Sequence, residues 1–178
     1  MNLLAKEKNM KTIKNRKILY GILSLVLVVV MTFATSTSVF AASGSKKVTA
    51  SGKMSVALNV GQTGDSSSVS INVSGLPSNA VITKLEVNTG TLTFQGAVAS
   101  NYLTITSSNG RTEQIKWGGA ANTTLKTNKF LASSANGTYT LSFNSTCVGG
   151  AIVGGNVLKI GTKTYSKPYI TVYWDDTL

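Results

Sequence analysis

From Met54 to Trp174 apolar residues fall on every second position, in short runs broken by glycine, asparagine and serine. Successive side chains of a strand point to opposite faces, so a period of two marks half-buried strands, not amphipathic helices. Val56, Leu58 and Val60 alternate with Ser55, Ala57 and Asn59, and Val69, Ile71 and Val73 with Ser70 and Asn72. Val81, Leu85 and Val87 are placed on one face, opposite Lys84 and Glu86. Leu92 and Phe94 follow, then Leu103 and Ile105, Ile115 and Trp117, and Tyr139, Leu141 and Phe143. Val157 to Ile160 reads as a short strand bounded by Gly154-Gly155 and Gly161. Pro168 opens a last strand, with Ile170, Val172 and Trp174 opposite Tyr169, Thr171 and Tyr173. Asn109-Gly110 and Asn136-Gly137 are turn signals. The pattern predicts an all-β fold, an antiparallel β-sandwich of nine or ten short strands, of jelly-roll or immunoglobulin type.

The first 41 residues follow other rules. Lys11, Lys14, Arg16 and Lys17 precede a nearly unbroken aliphatic run, Ile18 to Met31. Val39-Phe40-Ala41 then supplies small residues at the −3 and −1 positions of a cleavage before Ala42. A basic start, an apolar middle and a small-residue exit make a cleaved secretory signal helix, and the aliphatic run is short for a membrane span. Met10 alone would begin an ordinary signal, so Met1 and Met10 compete as the start. The expected organisation is a signal peptide over 1–41, a flexible small-polar lead-in over 42–53 and a β-sandwich over 54–176. The expected location is extracellular, and the long basic leader is of the kind Gram-positive bacteria use.

The order of elements resembles the P domain that follows the catalytic domain of proprotein convertases, and similar modules of secreted bacterial proteins. The residues that carry the likeness are Ala80 to Val87, then Leu103-Thr104-Ile105 running into Ser107-Ser108-Asn109-Gly110. Asn136 to Phe143 and a glycine-rich stretch before the closing strand complete it. Tyr139 stands where the family tends to have tryptophan, and the acidic residue that usually follows that strand is missing. The resemblance implies a jelly-roll sandwich used for binding or stabilisation, and it does not imply proteolysis.

The chemistry is restricted by what is absent. The chain has no histidine, which removes Ser–His–Asp and Cys–His catalysis. Its one cysteine, Cys147, cannot form an internal disulfide and is expected to be a buried thiol. From Ala42 onward the carboxylates are Asp65, Glu86, Glu113, Asp175 and Asp176. A glycosidase needs two acids, and Glu86 and Glu113 sit on strand-like runs where such pairs can sit, but each has a cation beside it, so surface charge is the expected role. Asp175 and Asp176, with Asp65 and the Asn-rich loops, could contribute to the six to eight oxygens calcium takes, but two adjacent acids near a terminus are more often solvated, and no metal or cofactor is expected. From Ala42 onward eleven basic residues face five acidic ones, a net of +6, and ten of the eleven are scattered lysines. A nucleic-acid groove clusters its cations and favours arginine, so none is expected. A solvated cationic surface is the expected reading, with a modest attraction to anionic wall polymers or lipid surfaces beside it.

Aromatic residues are the remaining lead. Tyr169 and Tyr173 share the outward face of the last strand, and Trp117 beside Gly118-Gly119 is expected at a loop edge. Together they are the candidate ligand-binding residues. The expectation is a secreted, non-enzymatic binding or accessory module acting at the cell envelope or outside the cell. Its partner would be an envelope polymer, a glycan or a protein. A self-assembling surface protein and a carbohydrate-binding module are the alternatives.

Overall fold

A computed structural model of the chain describes residues 42–178. The expected signal helix and the question of the start residue lie outside them. The described residues are all-β, with fourteen strands and antiparallel pairing throughout.

Eight strands define the architecture: β1 (Ser43–Thr49), β4 (Val69–Val73), β5 (Val81–Asn88), β7 (Ala97–Ser107), β8 (Thr112–Lys116), β9 (Thr124–Thr127), β10 (Gly137–Gly149) and β14 (Tyr169–Asp175). They pair in a nested way, first with last, second with seventh, third with sixth and fourth with fifth. A long hairpin folded over on itself gives that nesting, and it is the jelly roll. One sheet runs β1-β14-β5-β9 and the other β4-β10-β7-β8. Among the described residues each of these strands finds its partners within this set and its extensions, and their inward side chains share one core.

The count exceeds nine or ten because three neighbouring strands bend at one level and continue as separate elements. β2 (Lys53–Asn59), β13 (Ile160–Ser166) and β6 (Thr91–Gln95) form a three-stranded sheet that extends β1, β14 and β5. At the bend Ala50 donates its N–H to the Pro168 carbonyl at 2.8 Å, and Lys167 takes a φ of 54°. Gly90, at φ 77°, lies against this corner, where a Cβ would sit 2.2 Å from the Ser166 carbonyl oxygen. Only glycine fits both demands. β3 (Thr63–Asp65) lengthens the second sheet beside β10, and β11 (Ile152–Val153) and β12 (Asn156–Val157) form a small hairpin of their own.

The stretch 42–53 is not a flexible lead-in. β1 pairs with β14 over seven consecutive positions, Ser43 opposite Asp175 through Thr49 opposite Tyr169. Backbone groups along the edge of β14 find their partners there. The strand lacks an apolar period because it is an edge: Val48 packs on the core, and Gly44 leaves room for the Trp174 ring, 3.2 Å from where a Cβ would be.

Two further expectations shift. On β5 the inward residues are Ile82, Leu85 and Val87, with Val81 half-buried. Tyr173 opposes Lys84 while Trp174 opposes Ile82, so Thr83 is an extra residue that changes the phase of the alternation. Gly161 does not end a strand but sits inside β13, where a Cβ would meet Val98 and Cys147 at 2.6 and 2.8 Å. The core between the sheets holds Leu85, Leu103, Ile105, Leu141, Phe143 and Ile170, all fully buried. Cys147 is buried among them, as expected, its Sγ 3.5 Å from the Gly149 carbonyl.

Candidate functional site

The outer face of the β1-β14-β5-β9 sheet presents the residues that alternate with its core. Ile170 and Val172 point inward and are fully buried, which turns Tyr169, Thr171 and Tyr173 outward. Pairing arranges their neighbours in rows. Ser45, Tyr173 and Lys84 form one, Lys47, Thr171, Glu86 and Lys126 the next, and Thr49, Tyr169, Asn88 and Thr124 the third. Tyr169 and Tyr173 are thus about 13 Å apart along the strand, at ~3.3 Å per residue.

Each tyrosine carries a lysine. The Lys47 ammonium stands 3.6 Å from the Tyr169 ring centroid, and that of Lys84 4.5 Å from the Tyr173 centroid. Lys84 also pairs with Glu86 at 2.7 Å, and the Tyr173 hydroxyl donates to Glu86 at 3.2 Å. The hydrogen bond from Lys84 holds the Glu86 carboxyl below its ordinary range, with Tyr173 and the nearby Lys126 acting in the same direction. The same bond holds the Lys84 ammonium above its own. Three lysines, Lys47, Lys84 and Lys126, stand around one carboxylate that is already engaged. A ligand that stacks on either ring must move an ammonium aside or offer it negative charge.

Trp117 does not join this face. It continues the inward alternation of Ile115, is 7% exposed, and closes the end of the core. Its ring meets Phe143 edge-on at 6.3 Å and lies 4.7 Å from the Tyr165 ring. The neighbouring glycines suggested a loop edge, but the period set by β8 carries through Trp117.

The acids do not meet. Glu86 is on the outer face of the sheet, level with Lys126. Glu113 points inward from β8 and accepts the hydroxyl of Thr127, a buried residue on the inner face of β9. Partial burial raises the Glu113 carboxyl above its ordinary value. A sheet separates the two carboxylates, so they cannot flank one glycosidic bond. Asp65 accepts from the Asn144 amide at 2.7 Å, Asp176 from the Ala42 N–H at 2.7 Å, and Asp175 from Thr177. Among the described residues no three acidic or other metal-ligating side chains cluster.

A second feature escaped the sequence. β6 and the start of β7 leave a cleft of about 350 Å³, lined by Leu92, Phe94, Ala97, Val98, Val148 and Lys163. Lys163 is 6% exposed and donates to the Val98 carbonyl at 2.9 Å. Burial pushes its ammonium below the ordinary lysine value. The inward residues of β13 are Gly161, Lys163 and Tyr165, a series with no aliphatic member to announce a strand.

No protein-family model matches the chain, and no curated protein matches it. Among solved structures it is similar to one titled "Structure of infectious bursal disease virus Gt strain", at 15% identity and a TM-score of 0.32. That match covers 75% of this chain and 37% of the viral chain, so this chain spans little more than a third of the other's length. A likeness at that level carries no statement about what the chain does.

Proposed function

We propose that the chain is an exported, non-enzymatic binding module that works at the cell envelope, and that it holds an anionic envelope glycan on the outer face of β1-β14-β5-β9. The observation that carries this reading is the pair of tyrosine rings, each with a lysine ammonium against it, on an open sheet face. Rings suit the apolar face of a sugar, and ammonium groups suit its carboxylate or phosphate substituents. The net +6 from Ala42 onward favours encounter with such a polymer. The absence of histidine from the sequence and the separation of Glu86 from Glu113 support a binding role over catalysis. The P-domain resemblance points the same way.

Retention of the Ala42–Leu178 unit on purified cell walls at low and high salt tests the proposal. The expected result is retention that weakens with salt and falls with Tyr169→Ala, Tyr173→Ala or Lys47→Ala. Retention unchanged in all three variants, or none at all, would overturn it.

A further inference from the structure

Ten large apolar side chains stand exposed among the described residues, and eight of them gather at one end of the sandwich. Five belong to the segment from Ile152 to Ile160, and Val60, Val148 and Phe94 flank it. Scattered single exposures are ordinary, but a concentration of this kind marks a surface that meets something apolar.

The shape of the segment restricts what that is. Among the described residues β11 and β12 pair only with each other, Ile152 opposite Val157 and Val153 opposite Asn156, around the positive-φ turn Gly154-Gly155. Successive strand residues point to opposite faces. Ile152 and Val157 are 74% and 70% exposed on one face, and Val153 and Leu158 are exposed on the other. The hairpin therefore exposes apolar side chains on both faces, with Asn156 beside Val153 as its one polar side chain. A second copy of this chain, or a partner's flat sheet, would cover one face and leave the other in water. A medium that surrounds the tip covers both. No charged residue occurs from Cys147 to Leu158, and exposed Lys159 then stands at the hairpin's base. That order, an uncharged apolar tip with a cation behind it, matches the order of a bilayer surface, acyl region first and anionic headgroups above.

We infer that the Ile152–Leu158 hairpin inserts into the outer part of a lipid bilayer containing anionic headgroups, with Lys159 at headgroup level and the net +6 of the unit drawing it there. This surface is distinct from the tyrosine face. The hairpin forms a sheet of its own, while Tyr169 and Tyr173 belong to β14 of the four-stranded sheet.

Flotation of the Ala42–Leu178 unit with vesicles is the test. One set is phosphatidylcholine alone and the other includes phosphatidylglycerol. The unit is expected to float with the mixed vesicles and less with the neutral ones. Ile152→Asp and Val157→Asp are each expected to weaken that binding about tenfold or more, the scale of one aliphatic side chain leaving apolar surroundings. Their circular dichroism should stay unchanged, because these side chains touch no core. Tyr173→Ala should float as the parent does, which separates this result from the glycan reading. A parent that stays with the buffer, or aspartate variants that float equally, would overturn the inference. So would a parent that sediments as a dimer without lipid and dissociates on Ile152→Asp, since the hairpin would then seat on a second copy.

Discussion

Lys163 donates from β13 to the carbonyl oxygen of Val98 on β7 at 2.9 Å, and no carboxylate among the described residues pairs with it. Around it stand Val56 of β2, Phe94 of β6, the Gly119 turn and the Tyr165 ring, whose centroid is 5.7 Å away. Burial lowers the ammonium below the ordinary 10.5, while the unfolded chain keeps its proton up to that value. Between the two values the unfolded state binds more protons, so stability rises with pH. The cost of burying the charge is in full force below the folded-state value and is relieved as pH climbs through it. Tyr165 stays neutral over this range, its hydroxyl pushed up to about 12 by burial. Urea denaturation from about pH 7 to about pH 10 should favour the parent increasingly over Lys163→Met. A difference independent of pH would contradict the burial.

The corner formed by β5–β6 and β13–β14 depends on Gly90. Gly90 and Gly110 both have positive φ, 77° and 80°, but a Cβ on Gly110 meets open space, while one on Gly90 meets the Ser166 carbonyl. Gly110→Ala should cost about 1 kcal/mol, the backbone strain alone. Gly90→Ala should cost at least about 3 kcal/mol, because backbone must move as well. Equal costs, measured from chemical denaturation midpoints, would place the bend elsewhere.

What the sequence made legible follows from where side chains face. Val69, Ile71 and Val73 announce β4, and Leu103 and Ile105 the middle of β7, because each is buried on one face and polar on the other. β1 is silent, since an edge strand reaches the core through little more than Val48. β13 is silent because a glycine, a lysine and a tyrosine occupy its inward positions. The same distinction governs the site. Alternation with Ile170 and Val172 was enough to turn Tyr169 and Tyr173 outward. The lysines over them come from β1 and β5, and their approach depends on a pairing register that alternation does not encode. Trp117 was misplaced because its two glycine neighbours outweighed the period of β8.

Hydrogen exchange tests the β1 assignment. Backbone amides of Ser43–Thr49 that bond to β14 should be protected well beyond those of the exposed Gly154-Gly155 turn. Exchange of all seven at the rate of a free chain would return the stretch to a flexible lead-in.

Trp117 and Tyr173 should separate stability from binding. Trp117→Ala should cost roughly 3–5 kcal/mol, as large aromatic truncations in cores do. Trp117→Phe should cost far less, since it also removes a buried indole N–H that has no partner among the described residues, and should leave cell-wall retention unchanged. Tyr173→Ala, on a half-buried outer position, should cost about 1 kcal/mol and lower retention. Loss of retention in a folded Trp117→Phe variant would move the ligand toward the end of the core.

The most direct measurement is a map of amide and side-chain chemical shifts as a soluble anionic fragment of the envelope polymer is titrated into the Ala42–Leu178 unit. The account predicts that the shifts concentrate on Lys47, Lys84, Lys126, Tyr169 and Tyr173, and shrink as salt is added. Shifts confined to the Lys163 cleft or the Ile152–Leu158 hairpin, or no shifts at all, would contradict it.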